Sequence, residues 1–260
     1  MTRFAGKVAL VTGGVGTIGM ECCRQFLADG GSVVVNSRDQ SRCEAAVRQL
    51  ASGVGDGVHA RIIAAAGDVS SLAECERLVA QSEESFGRLD HVIHCALSPM
   101  AGLQGAFERT DPALYEMLMK QAVCAPMYLA HAAIPALRRS GGGSIVAFPS
   151  DAGKVAAPNQ SMVGTTRAAV MMFMRSIALE VSADNIRCNC IAPTYVDTPE
   201  LRDAMSTGPH AARIAKATSR ARLGLPAPSE IAAMAMFLCS DDAAHLTGQI
   251  ISINGGLNAA

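Results

Sequence analysis

The chain has 260 residues, of which 50% are hydrophobic and 17% are charged, and its formal net charge is −1. This composition gives no support to nucleic acid or an anionic membrane surface as a partner, and no apolar run reaches the ~18 residues that a transmembrane helix needs. The first strand starts too early for a signal peptide, and the nine cysteines show no C-x-x-C spacing. We therefore expect one cytoplasmic domain over residues 1–260, with reduced, mostly buried thiols and no metal site.

The hydrophobic pattern predicts strands and helices that alternate along the chain. In chain order these are a strand at Val8–Val11, a helix at Met20–Asp29, a strand at Ser32–Val35, a helix at Gln40–Ala51, a strand at His59–Ala66, a helix at Leu72–Phe86 and a strand at His91–Ala96. They continue with a helix at Pro112–Arg139 bent near Pro126, a strand at Ser144–Phe148, a helix at Met162–Ala183, a strand at Arg187–Ile191, an irregular or helical Tyr195–Ala221, a helix at Glu230–Cys239 and a strand at Gln249–Ile253. This order is typical of a single α/β domain with a doubly wound parallel sheet of about seven strands, covered by helices on both faces.

The turn between the first strand and the first helix is rich in glycine. It contains Gly14-Val15-Gly16-Thr17-Ile18-Gly19, a G-x-G-x-x-G motif. A strand, a glycine turn and a helix in this order open a dinucleotide-binding βαβ unit, because the glycines let the backbone approach a pyrophosphate at the helix N-terminus. Ordinary strand–helix units also close with such turns, but the position at the start of the chain favours a nucleotide site.

Further short motifs follow along the chain. They are Asp68-Val69, Gly143–Val146, Ser150-x-x-Gly153, Ile186-Arg187-x-Asn189 with Ile191–Pro193, Val196-x-Thr198, Arg222–Gly224, Thr247–Gln249 and Asn254–Gly256. In this order and spacing, the whole chain resembles the short-chain dehydrogenase/reductase (SDR) family, in particular its compact members. The resemblance implies a Rossmann-type fold, a nicotinamide dinucleotide, a small-molecule substrate and a homotetramer in which the long helices from Pro112 and Met162 pair across a two-fold axis.

The resemblance also implies which residues contact the dinucleotide. They are Gly13, Gly16, Thr17, Ile18, Gly19, Ser37, Arg38, Asp68, Val69, Cys95, Ala96, Arg167, Pro193, Val196 and Thr198. Asp68 corresponds to the residue that holds the adenine amino group; the alternative is that it caps the next helix, and it could do both. Compact members have glycine where Thr17 and Leu97 stand, so we expect weaker nucleotide binding here than in typical members.

The end of the second strand distinguishes the two nicotinamide cofactors. An acidic residue there binds the two ribose hydroxyls of NAD(H), whereas this chain has Ser37 followed by Arg38. A guanidinium binds phosphate through two parallel hydrogen bonds, so Arg38 favours NADP(H), with NAD(H) the less favoured cofactor. The alternative is that Arg38 is a solvated surface charge.

The resemblance fails at the active site. In the family a serine polarises the carbonyl group, a tyrosine thirteen residues later transfers the proton, a lysine four residues further binds the nicotinamide ribose, and an asparagine in the long helix completes the proton relay. Ser150 matches the serine, whereas Val163, Arg167 and Ala122 stand at the other three positions. Valine has no proton to donate, and a charged arginine cannot relay one.

The candidate catalytic residues are therefore Ser150, Arg167 and Tyr195. Tyr195 could supply a phenol, or it could simply pack against its neighbours. His94 could be a buried core histidine, and the role of Ser150 could be limited to capping a backbone group. Three functions remain open: an NADP(H)-dependent oxidoreductase of keto or enoyl substrates with a rebuilt proton path, a non-catalytic binding or scaffold protein, and chemistry without hydride transfer. The third occurs in halohydrin dehalogenases of this fold, which have arginine for lysine but keep the tyrosine. Residues 97–111 and 195–221, which would select the substrate, contain no readable motif.

Overall fold

A computed structural model describes residues 2–55, 57–96, 103, 105–206 and 211–259. The described residues form the strands β1 Val8–Thr12, β2 Ser32–Ser37, β3 Ile62–Ala66, β4 His91–His94, β5 Gly143–Ala147, β6 Ile186–Pro193 and β7 Ile250–Ile253. All neighbouring strands pair in parallel, and the order across the 7-stranded sheet is β3-β2-β1-β4-β5-β6-β7. The prediction of a doubly wound parallel sheet is confirmed.

Helices cover both faces of this sheet. They are α1 Thr17–Ala28, α2 Gln40–Val54, α3 Leu72–Phe86, α4 Tyr115–Met119, α5 Ala125–Arg139, α6 Ser161–Glu180, α7 Pro199–Ser206, α8 Ala211–Thr218 and α9 Pro228–Cys239. Alternate strand side chains point to opposite faces, so Leu10 packs in the core with α3, α5 and α6, while Val11 packs in the core with α1, α2 and α9. Because both faces are covered, the strands are near-continuous hydrophobic runs.

Most strand boundaries differ from the prediction by one to three residues, and two of the differences have a visible cause. Val58–Arg61 forms a 3-10 turn, so β3 starts at Ile62 and not at His59. The Arg61 side chain fixes this turn by donating hydrogen bonds to the carbonyls of Leu27 and Gly31. β4 ends at His94 and not at Ala96, because Cys95 and Ala96 leave the sheet to pack against Gly13.

The predicted helix from Pro112 to Arg139 is divided into four pieces. A 3-10 turn at Pro112–Leu114 leads into α4, a π-helical turn at Lys120–Cys124 follows, and α5 completes the segment. The irregular turn therefore precedes Pro126, which lies in the first turn of α5. Ala122 lies within the π-helical turn, a feature that often marks functional sites.

The later helices and the cysteines are close to what the sequence predicts. The segment Tyr195–Ala221 contains α7 and α8, and α6 ends at Glu180 rather than Ala183 because Ser182–Asp184 forms a 3-10 turn. None of the helices in the described ranges is both long and apolar enough to cross a bilayer. All nine cysteines are free thiols, and seven of them are buried.

Candidate functional site

A cavity of about 570 Å³ opens where the carboxyl ends of β1 and β4 lie side by side. The strand order reverses at this point, and open α/β sheets bind their ligands in such a crevice. The predicted cofactor residues that line the cavity are Gly13, Gly16, Thr17, Ile18, Gly19, Ser37, Arg38, Asp68, Val69, Cys95, Ala96 and Thr198. Five predicted site residues are not among those that line it, namely Ser150, Arg167, Pro193, Tyr195 and Val196.

The glycine turn forms one wall of the cavity. Gly13 has a φ of 67°, and a Cβ atom added there would lie 2.6 Å from the backbone nitrogen of Ala96, so only glycine fits. Gly16 precedes α1 as its N-cap and offers no side-chain cap, which leaves the first N–H groups of α1 available to an anion. Leu97, the other position at which the family has glycine, lies outside the described residues.

An acidic side chain stands beside this turn. Glu200, in the first turn of α7, has its pKa lowered by its own backbone N–H and by hydrogen bonds from Thr198 and Thr17. Thr17 and Thr198 both line the cavity. A carboxylate therefore lies near the place where a pyrophosphate would bind.

Asp68 lies at the end of β3 with one carboxylate oxygen open. The N–H and hydroxyl of Ser70 both donate to Oδ1, at 2.9 and 2.8 Å. Burial acts to raise the pKa of Asp68, but these hydrogen bonds and the charges of Arg38 and Lys120 outweigh it, so the pKa is lowered. The N-cap of α3 is Ser71 and not Asp68, so the capping alternative is wrong. Oδ2 makes no hydrogen bond with any of the described residues and could accept from an amino group.

Two arginines line the cavity at the start of α2. Neither the Arg38 nor the Arg42 side chain makes a hydrogen bond or ion pair with any residue in the described ranges, and both are exposed. The nearby Asp39 carboxylate is used locally, because its Oδ1 accepts from the Ser41 hydroxyl and the Arg42 N–H and caps α2. Two unpaired guanidinium groups are therefore placed where a phosphate could bridge them.

Several residues that line the cavity were not predicted from the sequence, chiefly Arg42, Asn36 and Gln121. Arg42 follows Arg38 by four positions at the start of a predicted helix, and this spacing was a readable signal. Asn36 is 1% exposed and donates hydrogen bonds to the carbonyls of Ala65 and Gly67. These bonds link β2 to the end of β3 at the cavity. Gln121 lies in the π-helical turn, which hydrophobic periodicity could not reveal.

Ser150 caps the 3-10 turn at Asp151–Gly153, and its Oγ accepts from the Ala152 N–H at 3.4 Å. This turn packs against the first turns of α6 through two glycines. A Cβ atom at Gly153 would lie 2.7 Å from the backbone nitrogen of Ala168, and one at Gly164 would lie 2.8 Å from the Ala152 carbonyl oxygen. Ser150 thus acts as the cap that the sequence allowed, while its hydroxyl hydrogen remains able to donate.

A buried carboxylate joins the Ser150 turn to the loop that bears Tyr195. Asp151 is 2% exposed and accepts from the Thr194 hydroxyl at 2.9 Å, the Ser252 hydroxyl at 2.6 Å and the Asn254 side chain at 2.7 Å. Tyr195 itself is partly buried, and its hydroxyl bonds to none of the described residues. The loop that bears Tyr195 is therefore tied to the turn that follows Ser150, and the Tyr195 phenol has no hydrogen-bond partner among the described residues.

The three active-site positions that depart from the SDR pattern are buried. Val163, Ala122 and Arg167 are 7%, 6% and 8% exposed. His94 bonds through Nδ1 to the Thr12 hydroxyl at 2.8 Å, and burial together with the charge of Arg167 lowers its pKa to about 4. His94 is therefore a neutral, buried histidine, and the charge of Arg167 contributes to the lowering of its pKa.

Comparisons with known proteins agree with this architecture. Residues 14–258 match the family model described as Enoyl-(Acyl carrier protein) reductase. The chain is 31% identical over 260 residues to human Dehydrogenase/reductase SDR family member 4, covering 98% of this chain and 90% of the relative. It is 27% identical over 257 residues to 7alpha-hydroxysteroid dehydrogenase of Bacteroides fragilis, covering 99% of this chain and 96% of the relative.

Solved structures give the same result in three dimensions. L-sorbose reductase from Gluconobacter frateurii, complexed with NADPH and L-sorbose, superposes with a TM-score of 0.89 at 28% identity over 100% of both chains. A 7α-hydroxysteroid dehydrogenase complexed with NADH and 7-oxo glycochenodeoxycholic acid superposes with a TM-score of 0.86 at 26% identity, covering 98% of this chain and 95% of that one.

Proposed function

The chain belongs to the short-chain dehydrogenase/reductase family, and from this premise we propose that it is an NADP(H)-dependent oxidoreductase acting on a small carbonyl or enoyl substrate. The observation that carries the proposal is the cavity at the β1–β4 switch point, with the unpaired Arg38 and Arg42 at one end. The dinucleotide supplies the hydride when bound. The protein's own residues bind it, orient the substrate and deliver the proton.

The cofactor preference rests on charge. The relatives include a structure with NADPH and one with NADH, so the family alone leaves the choice open. Arg38 and Arg42 each carry a planar guanidinium group with several N–H donors. Each guanidinium could form charge-assisted hydrogen bonds with a 2′-phosphate. Asp68 Oδ2 would accept from the adenine amino group, and the N-terminus of α1 would face the pyrophosphate.

The variant Arg38→Asp should reverse the cofactor preference. Losing a charge-assisted phosphate contact and adding a like charge should weaken NADP⁺ binding about 10- to 100-fold, while the new carboxylate can accept from the ribose hydroxyls of NAD⁺. Titration of both nucleotides into wild type, Arg38→Asp and the exposed control Arg48→Gln measures this. Equal affinities of the wild type for the two nucleotides would contradict the proposal.

For the chemistry we propose roles for Ser150 and Tyr195. The Ser150 hydroxyl, already anchored by the Ala152 N–H, would donate to the substrate oxygen. Tyr195 would supply the proton that Val163 cannot, because its phenol has no partner in the described residues and its loop is tied to the Ser150 turn through Asp151. Arg167 would contact the substrate.

Two other functions are testable against this one. A non-catalytic SDR-like protein would bind NADP(H) without turnover, and a non-redox enzyme on this fold would bind no nucleotide. Nucleotide titration followed by a single-turnover assay separates the three. The free Arg38 and Arg42 favour nucleotide binding, and therefore one of the first two functions.

We also propose a homotetramer with α6 at one two-fold interface. Met172 and Leu179 on α6 are 60% and 78% exposed although both are large and apolar. Burying such a side chain is worth about 1.5–3 kcal/mol, so a partner subunit would stabilise this face. In equilibrium sedimentation the wild type should exceed monomer mass, and Met172→Glu with Leu179→Glu should reduce it. A monomeric wild type would refute the assembly.

A further inference from the structure

Arg167 is a buried cation without a partner. It is 8% exposed, and its guanidinium makes no hydrogen bond or ion pair with the described part of the chain. Arg187 is a partly buried arginine whose guanidinium does have hydrogen-bond partners. It donates to the carbonyls of Leu238, Cys239 and Ser240. Buried arginines are normally paired. The Arg167 nitrogens keep some contact with solvent, because no fully buried side-chain nitrogen or oxygen of the described residues lacks a hydrogen-bond partner, so a ligand can reach the charge.

Burial lowers the pKa of Arg167, and no charged group of the described residues contributes to the shift. Val163 lies one turn earlier on the same face of α6, and the backbone of Gly153 packs against the Arg167 Cβ atom. His94, the ring that responds to the charge of Arg167, is uncharged at neutral pH. A guanidinium in such a low-dielectric setting attracts an anion more strongly than one at the surface does.

We propose that Arg167 binds a carboxylate group of the substrate, so that the protein acts on an oxo acid or an enoic acid. This inference rests on the proposed function and names its substrate class. One guanidinium with neutral neighbours balances a single negative charge, which suits a carboxylate. A phosphate group, with about −1.5 to −2 charges, is better matched by two guanidinium groups such as Arg38 and Arg42. Replacing the proton-donating tyrosine and the lysine of the family by Val163 and Arg167 therefore converts this face of α6 from proton transfer to anion binding.

Binding measurements without turnover test the proposal. Isothermal titration of the NADP⁺-saturated protein compares 2-oxopentanoate with its uncharged methyl ester and with dihydroxyacetone phosphate. The oxo acid should bind roughly 10- to 100-fold more tightly than the ester. This preference should vanish in Arg167→Met, persist in part in Arg167→Lys and remain unchanged in Arg48→Gln.

Thermal unfolding provides a readout that a structural role would move in the opposite direction. Since the Arg167 side chain lies mostly out of water and has no ion-pair partner among the described residues, Arg167→Met should keep or raise the melting temperature while it removes oxo-acid binding. A lowered melting temperature in Arg167→Met together with unchanged oxo-acid binding would assign Arg167 a structural role and overturn the proposal.

Several other results of these titrations would also decide whether Arg167 binds a carboxylate. Equal binding of acid and ester, binding of neither, a preference that survives Arg167→Met, or Arg167-dependent binding of the phosphate in place of the acid would each overturn the carboxylate assignment. Repeating the titration without NADP⁺ separates this inference from the proposed function. An Arg167-dependent acid preference in a protein that binds no nucleotide would uphold the anion site and refute the oxidoreductase.

Discussion

The triple variant Val163→Tyr, Arg167→Lys, Ala122→Asn should reduce small neutral ketones with NADPH far faster than the wild-type protein, which should act on them barely above background. Val163 lies beside the Ser150 turn, which Gly153 and Gly164 hold against α6. A tyrosine at this position would place its phenol near the Ser150 hydroxyl. A positioned acid contributes typically ~10²–10⁴-fold to such reactions.

The single changes should recover little. The Val163→Tyr phenol alone would lack the lysine that lowers its pKa, and the asparagine that organises its water would also be missing. Groups that act as one unit fail and recover together, so the gain in the triple variant should greatly exceed the product of the single gains. The π-helical turn at Lys120–Cys124 is already present, so Ala122→Asn adds a side chain to an existing backbone shape.

The measurement is kcat/KM for NADPH-dependent reduction of a panel of neutral ketones in wild-type, single and triple variants. Ser150→Ala in the triple background is the control, and it should abolish the recovered activity. Robust wild-type turnover that survives Ser150→Ala would show that the proton comes from elsewhere, and Tyr195→Phe and His94→Ala would be the next variants. An inactive triple variant that still binds NADPH would make the non-catalytic function the leading one.

The fold was predictable because the signals that carry it are local. Buried parallel strands are apolar runs, helices have a 3.6-residue period, and α3 was predicted with both of its ends. The π-helical turn was missed because its hydrogen bonds shift by one residue while its apolar pattern continues. The 3-10 turn before β3 was missed because it depends on Arg61 reaching carbonyls about thirty residues away in the chain.

The site was predictable to a similar extent. The cavity at the β1–β4 switch point is lined by motifs at the ends of strands, and twelve of its lining residues were implied by the resemblance to the family. The environment of Arg167 could not be predicted in this way. Whether an arginine has a carboxylate partner depends on which distant elements pack around it, and single-sequence patterns do not carry that information.

The protein should lose stability steeply as the pH falls from about 6.5 to 5. Burial lowers the pKa of His91 to about 3, with smaller effects of the charged Asp90, Arg187, Lys7 and Arg88. Burial and Arg167 lower the pKa of His94 to about 4. Both histidines are therefore neutral in the folded protein throughout this range, whereas in the unfolded chain they take up protons below about 6.5.

The sign follows from these pKa values. Where the unfolded state binds more protons than the folded state, stability falls as pH falls, and here the loss begins near pH 6.5 and continues to about 3–4. Each histidine should cost about 2 kcal/mol by pH 5, and the pair about 4 kcal/mol. That is a large share of the ~5–15 kcal/mol by which domains are stable. Asp90, whose pKa is lowered, adds its own loss only at lower pH.

Urea unfolding at pH 7.5 and pH 5.0, at one protein concentration, measures the effect. His91→Gln and His94→Gln keep a polar partner for the Ser144 and Thr12 hydroxyls, at 2.9 and 2.8 Å from the ring nitrogens in the native protein, and remove the titration. The acid-induced loss should fall by about half in each single variant and nearly disappear in the double variant. His245→Gln, a change at an exposed histidine, should leave it unchanged. If the wild type were equally stable at both pH values, the two buried rings would have to accept protons in the folded state, and their assignment as neutral core histidines would fail.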